Sequence, residues 1–168
     1  LHSLPPASDK RILVVDDEAV NLQVLANHLA LQDYHVTQVT NGFDALKAIE
    51  QMEEAGELFD LILLDVMMPR MSGYEVCEKL RAKYPPDKLP VVMLTAKNRA
   101  EDLAAGLESG ANDYLTKPFN KTELLARIKN QKELKDLAKK RQESQKALSN
   151  SEKQYRDLFN NLVDVFYR

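Results

Sequence analysis

The sequence predicts an α/β domain, a doubly wound five-stranded parallel sheet, with an extended C-terminal helix. Three observations predict it. Short apolar runs alternate with amphipathic stretches from residue 11 to about residue 130. Three of those runs, Ile12-Leu13-Val14-Val15, Leu61-Ile62-Leu63-Leu64 and Val91-Val92-Met93-Leu94, are unbroken, as in strands covered on both faces. All 5 Gly and 7 Pro fall at or before Pro118, so the final 50 residues contain no helix breaker.

The elements follow in chain order. Ile12–Val15 is the first strand. Leu22, Leu25 and Leu29 then recur at three- and four-residue intervals, one apolar stripe of a helix. Val36-Thr37-Gln38-Val39 alternates and reads as an edge strand. The second helix carries Ala45, Ile49 and Met52, and Asn41-Gly42 before it reads as a positive-φ turn. After the Leu61–Leu64 strand, Val76, Leu80 and Ala82 mark the third helix, which Pro85-Pro86 stops. Val91–Leu94 comes next, then a fourth helix with Leu103 and Leu107 and with Gly110 as its C-cap. Asp113-Tyr114-Leu115-Thr116 is a short, edge-like strand. The fifth helix begins near Asn120 and shows Leu124, Leu125 and Ile128. Five β-α units place the two weaker strands at the edges and the three apolar runs in the centre.

The fifth helix has no stop signal. From Leu134 a three-four spacing runs Leu134, Leu137, Arg141, Ser144, Leu148, Ser151, Tyr155, Leu158, Leu162, Val165, and seven of these ten positions are apolar. This is a coiled-coil-like heptad with a polar middle. Ile128 is out of its register, so the seam starts after the domain ends. The expected organisation is a linker over 1–9, the domain over 10–130 and a helical linker over 131–150.

Composition removes several classes. The 168 residues hold 23 Lys+Arg and 26 Asp+Glu, and 44% are hydrophobic, enough for one core of about 100–150 residues with chain to spare. Residues 1–129 are net acidic, with 14 basic and 20 acidic groups, and residues 130–168 are net basic, with 9 and 6. No apolar run approaches the roughly 18–20 residues of a membrane span. Cys77 alone forms no internal disulfide or metal cluster and fits a reducing, cytoplasmic setting. Leu1–Lys10 lacks a charged-then-apolar signal pattern and no Met opens it, so the chain reads as a piece of a longer protein. Lys139-Lys140-Arg141 is interrupted by Glu133, Asp136 and Glu143, which marks a solvated helix face rather than a nucleic-acid patch.

The chemistry-bearing residues collect at the carboxyl ends of the strands, where open parallel sheets carry function. Those ends read Asp16-Asp17-Glu18, Asp65, Thr95 and Lys117-Pro118. Asp16, Asp17 and Asp65 would repel one another in a half-buried cleft. A hard divalent cation removes that cost, and Mg2+ suits a site of few carboxylates and several waters. A lysine beside it fits a group that arrives negative, such as a phosphoryl, with Asp65 as nucleophile and Lys117 and Thr95 neutralising the transferring oxygens.

The runs Val14-Val15-Asp16-Asp17-Glu18, Leu64-Asp65-Val66-Met67-Met68-Pro69 with Gly73, Leu94-Thr95-Ala96 and Tyr114-Leu115-Thr116-Lys117-Pro118-Phe119 resemble the receiver domain of two-component response regulators. The spacings match too: 48 residues from Asp17 to Asp65, 30 from Asp65 to Thr95 and 52 from Asp65 to Lys117. The resemblance implies a flavodoxin-like fold with strand order 2-1-3-4-5. It implies that Asp65 accepts phosphate from a histidine kinase or a histidine phosphotransfer protein. Asp17, the Asp65 carboxylate and the Met67 carbonyl would ligate Mg2+, with Asp16 acting largely through water. Lys117 would pair with the phosphoryl group across a cis Lys117-Pro118 bond, Thr95 would move toward it, and Tyr114 would swing inward behind it. The implied output surfaces for a homodimer are the C-terminal helix and the face of the fourth helix, fifth strand and fifth helix.

Residues 151–168, from Ser151-Glu152-Lys153-Gln154-Tyr155 to Tyr167-Arg168, are similar to the opening of a PAS sensor domain, in which a short helix leads into the first strand. Two rival readings compete for the main domain. A haloacid-dehalogenase-like phosphatase needs a second Asp two residues after its nucleophile, where this chain has Met67. A receiver used only for protein contacts has no need of the complete set Asp16, Asp17, Asp65, Thr95 and Lys117.

Overall fold

Each unbroken apolar run becomes a strand buried along all five of its residues. The computed structural model describes residues 10–96 and 100–166. Its strands β1 (Arg11–Val15), β2 (His35–Val39), β3 (Leu61–Asp65), β4 (Val91–Thr95) and β5 (Asp113–Thr116) are all parallel, in the order β2-β1-β3-β4-β5. Alternate side chains feed two cores. Leu13, Val15, Ile62, Leu64, Val91 and Met93 meet α2 (Gly42–Glu54) and α3 (Gly73–Arg81) on one face. Ile12, Val14, Leu61, Leu63, Val92 and Leu94 meet α1 (Ala19–Ala30) and α5 (Lys121–Phe166) on the other. Each such Leu, Ile or Val contributes about 1.5–3 kcal/mol by leaving water. The edge strand β2 keeps His35, Thr37 and Gln38 in solvent, which is why its pattern alternates.

Local chemistry sets the helix ends. Ser72 and Glu75 form a reciprocal capping box on α3. The Asn120 carboxamide oxygen accepts from the Thr122 and Glu123 amides at the start of α5. Gly110, at φ +92°, ends α4 (Ala100–Glu108) as expected, with Gly110 N–H donating to Leu107 O and Ala111 N–H to Gly106 O. One expectation is corrected. Asn41-Gly42 is not a positive-φ turn: Asn41 is extended and caps α2 through the Asp44 amide. Gly42 is needed for space, since a Cβ there would sit 2.7 Å from Val76 Cγ2.

At the amino end of the sheet, Arg81 straps three segments together. Its guanidinium donates to the carbonyls of Gly110 (2.6 Å), Tyr84 (3.1 Å) and Leu89 (2.9 Å) and to Asn112 Oδ1 (2.7 Å). The same Asn112 oxygen accepts from the Val91 amide at 2.9 Å, and its Nδ2 donates to Pro86 O.

Helix α5 is one uninterrupted span of 46 residues, about 69 Å at 1.5 Å per residue. Leu124, Ile128 and Gln131 are buried against the body. Lys135 then reaches Phe59 O at 3.5 Å and the Asp60 carboxylate at 3.6 Å. The helix therefore keeps contact with the receiver body as far as Lys135. From residue 139 to residue 163 it lies almost wholly in solvent. Residues 151–166 remain helical, so the strand that a PAS opening brings in does not form up to Phe166. Tyr167 and Arg168, and the linker expected over 1–9, lie outside the described residues.

Arg81→Met keeps the bulk and removes the strap, leaving buried carbonyls without donors. We expect a loss of about 2–4 kcal/mol in a urea unfolding titration, with the m-value unchanged.

Candidate functional site

The carboxyl ends of β1, β3, β4 and β5 bring the predicted residues together. Asp16 follows β1 and is fully buried. Its Oδ1 accepts from the Glu18 amide at 2.9 Å and from Asn21 Nδ2 at 3.4 Å, and its Oδ2 accepts from Lys117 Nζ at 2.8 Å. Asp65 is the last residue of β3, only 3% exposed, with Oδ1 3.2 Å from the same ammonium. The Met67 amide donates to that oxygen at 3.4 Å. Asp17 is exposed at the rim. Each of the three aspartates offers one oxygen within 4.8 Å of the others.

Lys117 is held by the chain that carries it. Its amide donates to Thr95 O at 2.7 Å, which continues the β4–β5 pairing, and the following bond to Pro118 is cis as expected. Thr95, the last residue of β4, is buried. Behind it Val66, Tyr74, Met93, Leu103 and Tyr114 line a small apolar recess. Tyr114 is half-buried there, with the Arg127 guanidinium 5.9 Å from its ring centroid.

Burial and a neighbouring carboxylate shift the titration of Asp65. Burial first, and the Asp16 charge second, push the Asp65 carboxyl up to about 6, against the opposing pull of Lys117. Burial alone would depress the Lys117 ammonium. Its contacts to Asp16 and Asp65 outweigh that and hold it above the ordinary lysine value. One cation thus faces two buried carboxylates, which leaves the cleft short of positive charge. Hard oxygen donors with an uncompensated negative charge fit Mg2+.

A family model described as the response regulator receiver domain matches residues 12–129. The chain belongs to that family. Among solved structures this receiver is similar to a CheY-like response regulator receiver domain protein from Methanospirillum hungatei JF-1, at 31% identity over 78% of this chain and 99% of that one, with a TM-score of 0.69. It is similar to the chemotaxis protein CheY4 of Vibrio cholerae, at 30% identity over 72% and 97%, TM-score 0.65. It is also similar to the signal receiver domain of a signal transduction histidine kinase from Syntrophus aciditrophicus, at 32% identity over 74% and 90%, TM-score 0.63. Receiver domains bind Mg2+ through an acidic cluster of this kind. No described helix of this receiver is long and apolar enough to cross a membrane.

Three further residues take roles that only the structure defines. Asn21 supports Asp16 from the first turn of α1, where a polar residue carries no distinctive signal. Gly73 starts α3 against the end of β3: a Cβ there would lie 2.3 Å from the Asp65 carbonyl oxygen. Arg127 binds both oxygens of Asp113, at 2.9 and 3.1 Å, beside its contact with Tyr114. The Glu123–Arg127 spacing is visible in the sequence, but the partner on β5 exists only once α5 packs.

The raised Asp65 value has a signed consequence. The folded carboxyl binds its proton more tightly than the unfolded one, so ionisation costs stability from about pH 4 upward and the full cost is present above about pH 6. Without Mg2+, Asp65→Asn should be more stable than wild type by up to about 3 kcal/mol at pH 7–8, and the gap should close below pH 4. Chemical denaturation across that range measures it, and saturating Mg2+ should narrow the gap by binding wild type alone.

Proposed function

We propose that this receiver is a phosphorylation-controlled switch in a two-component phosphorelay, acting in the cytoplasm. The phosphoryl donor is the phosphohistidine of a histidine kinase or a histidine phosphotransfer protein. The observation that carries this reading is the Asp65 carboxylate at the end of β3, 3.2 Å from Lys117 Nζ and grouped with Asp16 and Asp17. An Asp65 oxygen attacks phosphorus, the P–O bond forms as the P–N bond to histidine breaks, and the imidazole leaves with the electron pair. Mg2+, held by Asp17, Asp65 and the Met67 carbonyl with Asp16 acting largely through water, would neutralise charge on the phosphoryl oxygens.

The chain's own groups do the rest. Lys117 already sits on the nucleophile and exchanges its contact with Asp65 for one with the phosphoryl group, while Asp16 keeps the ammonium in place. Thr95 turns its hydroxyl toward the same oxygens. The space it leaves admits the Tyr114 ring from the recess behind, which separates the ring from Arg127. Arg127 also holds Asp113 and Glu123, so the change reaches α5 and the output it drives.

Met67, 61% exposed, stands two residues beyond the phosphoacceptor. Its apolar side chain orients no attacking water. Lys97, two residues beyond Thr95, has an ammonium that only donates, and it lies outside the described residues. Slow self-dephosphorylation, over many minutes, is the result.

Two measurements test this reading. A small acyl phosphate with Mg2+ should add one phosphoryl group to wild type and none to Asp65→Asn, read by intact-protein mass spectrometry; equal labelling of the variant would refute Asp65 as acceptor. Met67→Asn should release phosphate several-fold faster than wild type, measured as inorganic phosphate against time.

A further inference from the structure

We propose that residues 134–165 of α5 pair with the same segment of a second copy of this chain, as a parallel, in-register, two-stranded coiled coil. The argument begins with what the helix does not touch. Beyond Gln142 none of the described residues of the body covers it, although the seam from Leu134 to Val165 presents seven large apolar side chains that are 56–75% exposed. An isolated helix gains little stability from propensity alone and depends on packing an apolar face. Burying these seven from each of two chains removes on the order of 1,500 Å² from water, the size of a standard stable interface. The competing surface is poorer. Among the described residues, the face of α4, β5 and the first turns of α5 exposes one large apolar side chain, Leu107.

The order of residues along the seam selects the orientation. Written as a heptad, Leu134, Arg141, Leu148, Tyr155 and Leu162 take the a positions, and Leu137, Ser144, Ser151, Leu158 and Val165 the d positions. A parallel pair in register puts each layer against itself. Leu faces Leu, the Tyr155 pair stacks within its own layer, and Arg141 and Ser144 share a polar interlude. An antiparallel pair over the same span sets Arg141 against Leu158 and Ser144 against Tyr155, burying polar groups on apolar ones. The flanking positions agree with the parallel form. Its g-to-e′ contacts include Glu133 with Ala138, Lys140 with Gln145, Ala147 with Glu152 and Gln154 with Phe159, and none sets like charges together.

The receiver body leaves room for this partner. Leu124, Ile128, Gln131 and Lys135 face the sheet. At about 100° per residue, Leu134, Leu137 and Arg141 point roughly a third of a turn away from that stripe. Leu134 borders a recess formed with Pro86, Pro90 and Asn112, and from Leu137 onward a second helix can lie along the seam without displacing the receiver. Arg141 is the weak layer, since two guanidinium groups meet there.

Cysteine cross-linking and sedimentation equilibrium of the 168-residue chain test the pairing. Ser144→Cys lies at a d layer, where parallel in-register chains bring the two Cα atoms within disulfide range. Oxidation should convert most of it to a linked dimer, whereas Lys146→Cys on the opposite side of the helix should link at least tenfold more slowly. An antiparallel pair holds the two Ser144 positions about 16 Å apart and gives no link. Leu158→Asp with Leu162→Asp should sediment as a monomer while still accepting phosphoryl from a small acyl phosphate, which reports an intact receiver. Arg141→Leu should tighten the dimer by about tenfold. A wild-type monomer at 50 µM or so, a dimer that Ser144→Cys fails to link, or a dimer that survives the paired Asp substitutions overturns the proposal.

Discussion

The ammonium of Lys117 is the contact on which the rest of the site depends. It lies 2.8 Å from Asp16 and 3.2 Å from Asp65, two carboxylates that the sheet has removed from water. Without it, adjacent strands would deliver like charges to one dry edge with no compensation. The fold invests heavily in placing this one side chain. The Lys117 amide is tied to Thr95, Pro118 follows in the cis form, and α5 begins three residues later under the Asn120 cap. Even so, burial, with the Asp16 charge added to it, outweighs Lys117 and leaves Asp65 raised rather than lowered. The two carboxylates facing one ammonium suit the cleft to a further cation.

How much of this could be read from the sequence follows from the range of each interaction. Unbroken apolar runs announced β1, β3 and β4 because a strand covered on both faces needs no polar side chain. The candidate site residues were legible for a related reason. They sit directly after those runs, so locating a strand also locates the residue at its carboxyl end. Gly110 was readable as a stop because a positive φ after a helix is a local demand of the backbone.

The misreadings occur where a residue's role is set by a distant neighbour. Asn41-Gly42 carries the composition of a turn, yet Gly42 answers to Val76, thirty-four positions away, which leaves no room for a side chain. The contact of Lys135 with Asp60 at the foot of β3 is also invisible in the sequence, because its two partners lie seventy-five positions apart. Asn21, Gly73 and Arg127 likewise acquire their roles only when separate elements meet.

Strand β3 is gripped at both ends by lysines that bracket the start of α5. Asp65 at its head meets Lys117 just before the helix, and Asp60 at its foot meets Lys135 four turns into it. Strand and helix thus form two sides of a closed frame as tall as the sheet. Beyond its lower corner the helix runs free for about 40 Å. The frame acts as the short arm of a lever and the free helix as the long one. On the proposed function, phosphorylation would loosen the upper corner, and a tilt of about 5° about the lower one would carry the far tip some 3–4 Å sideways.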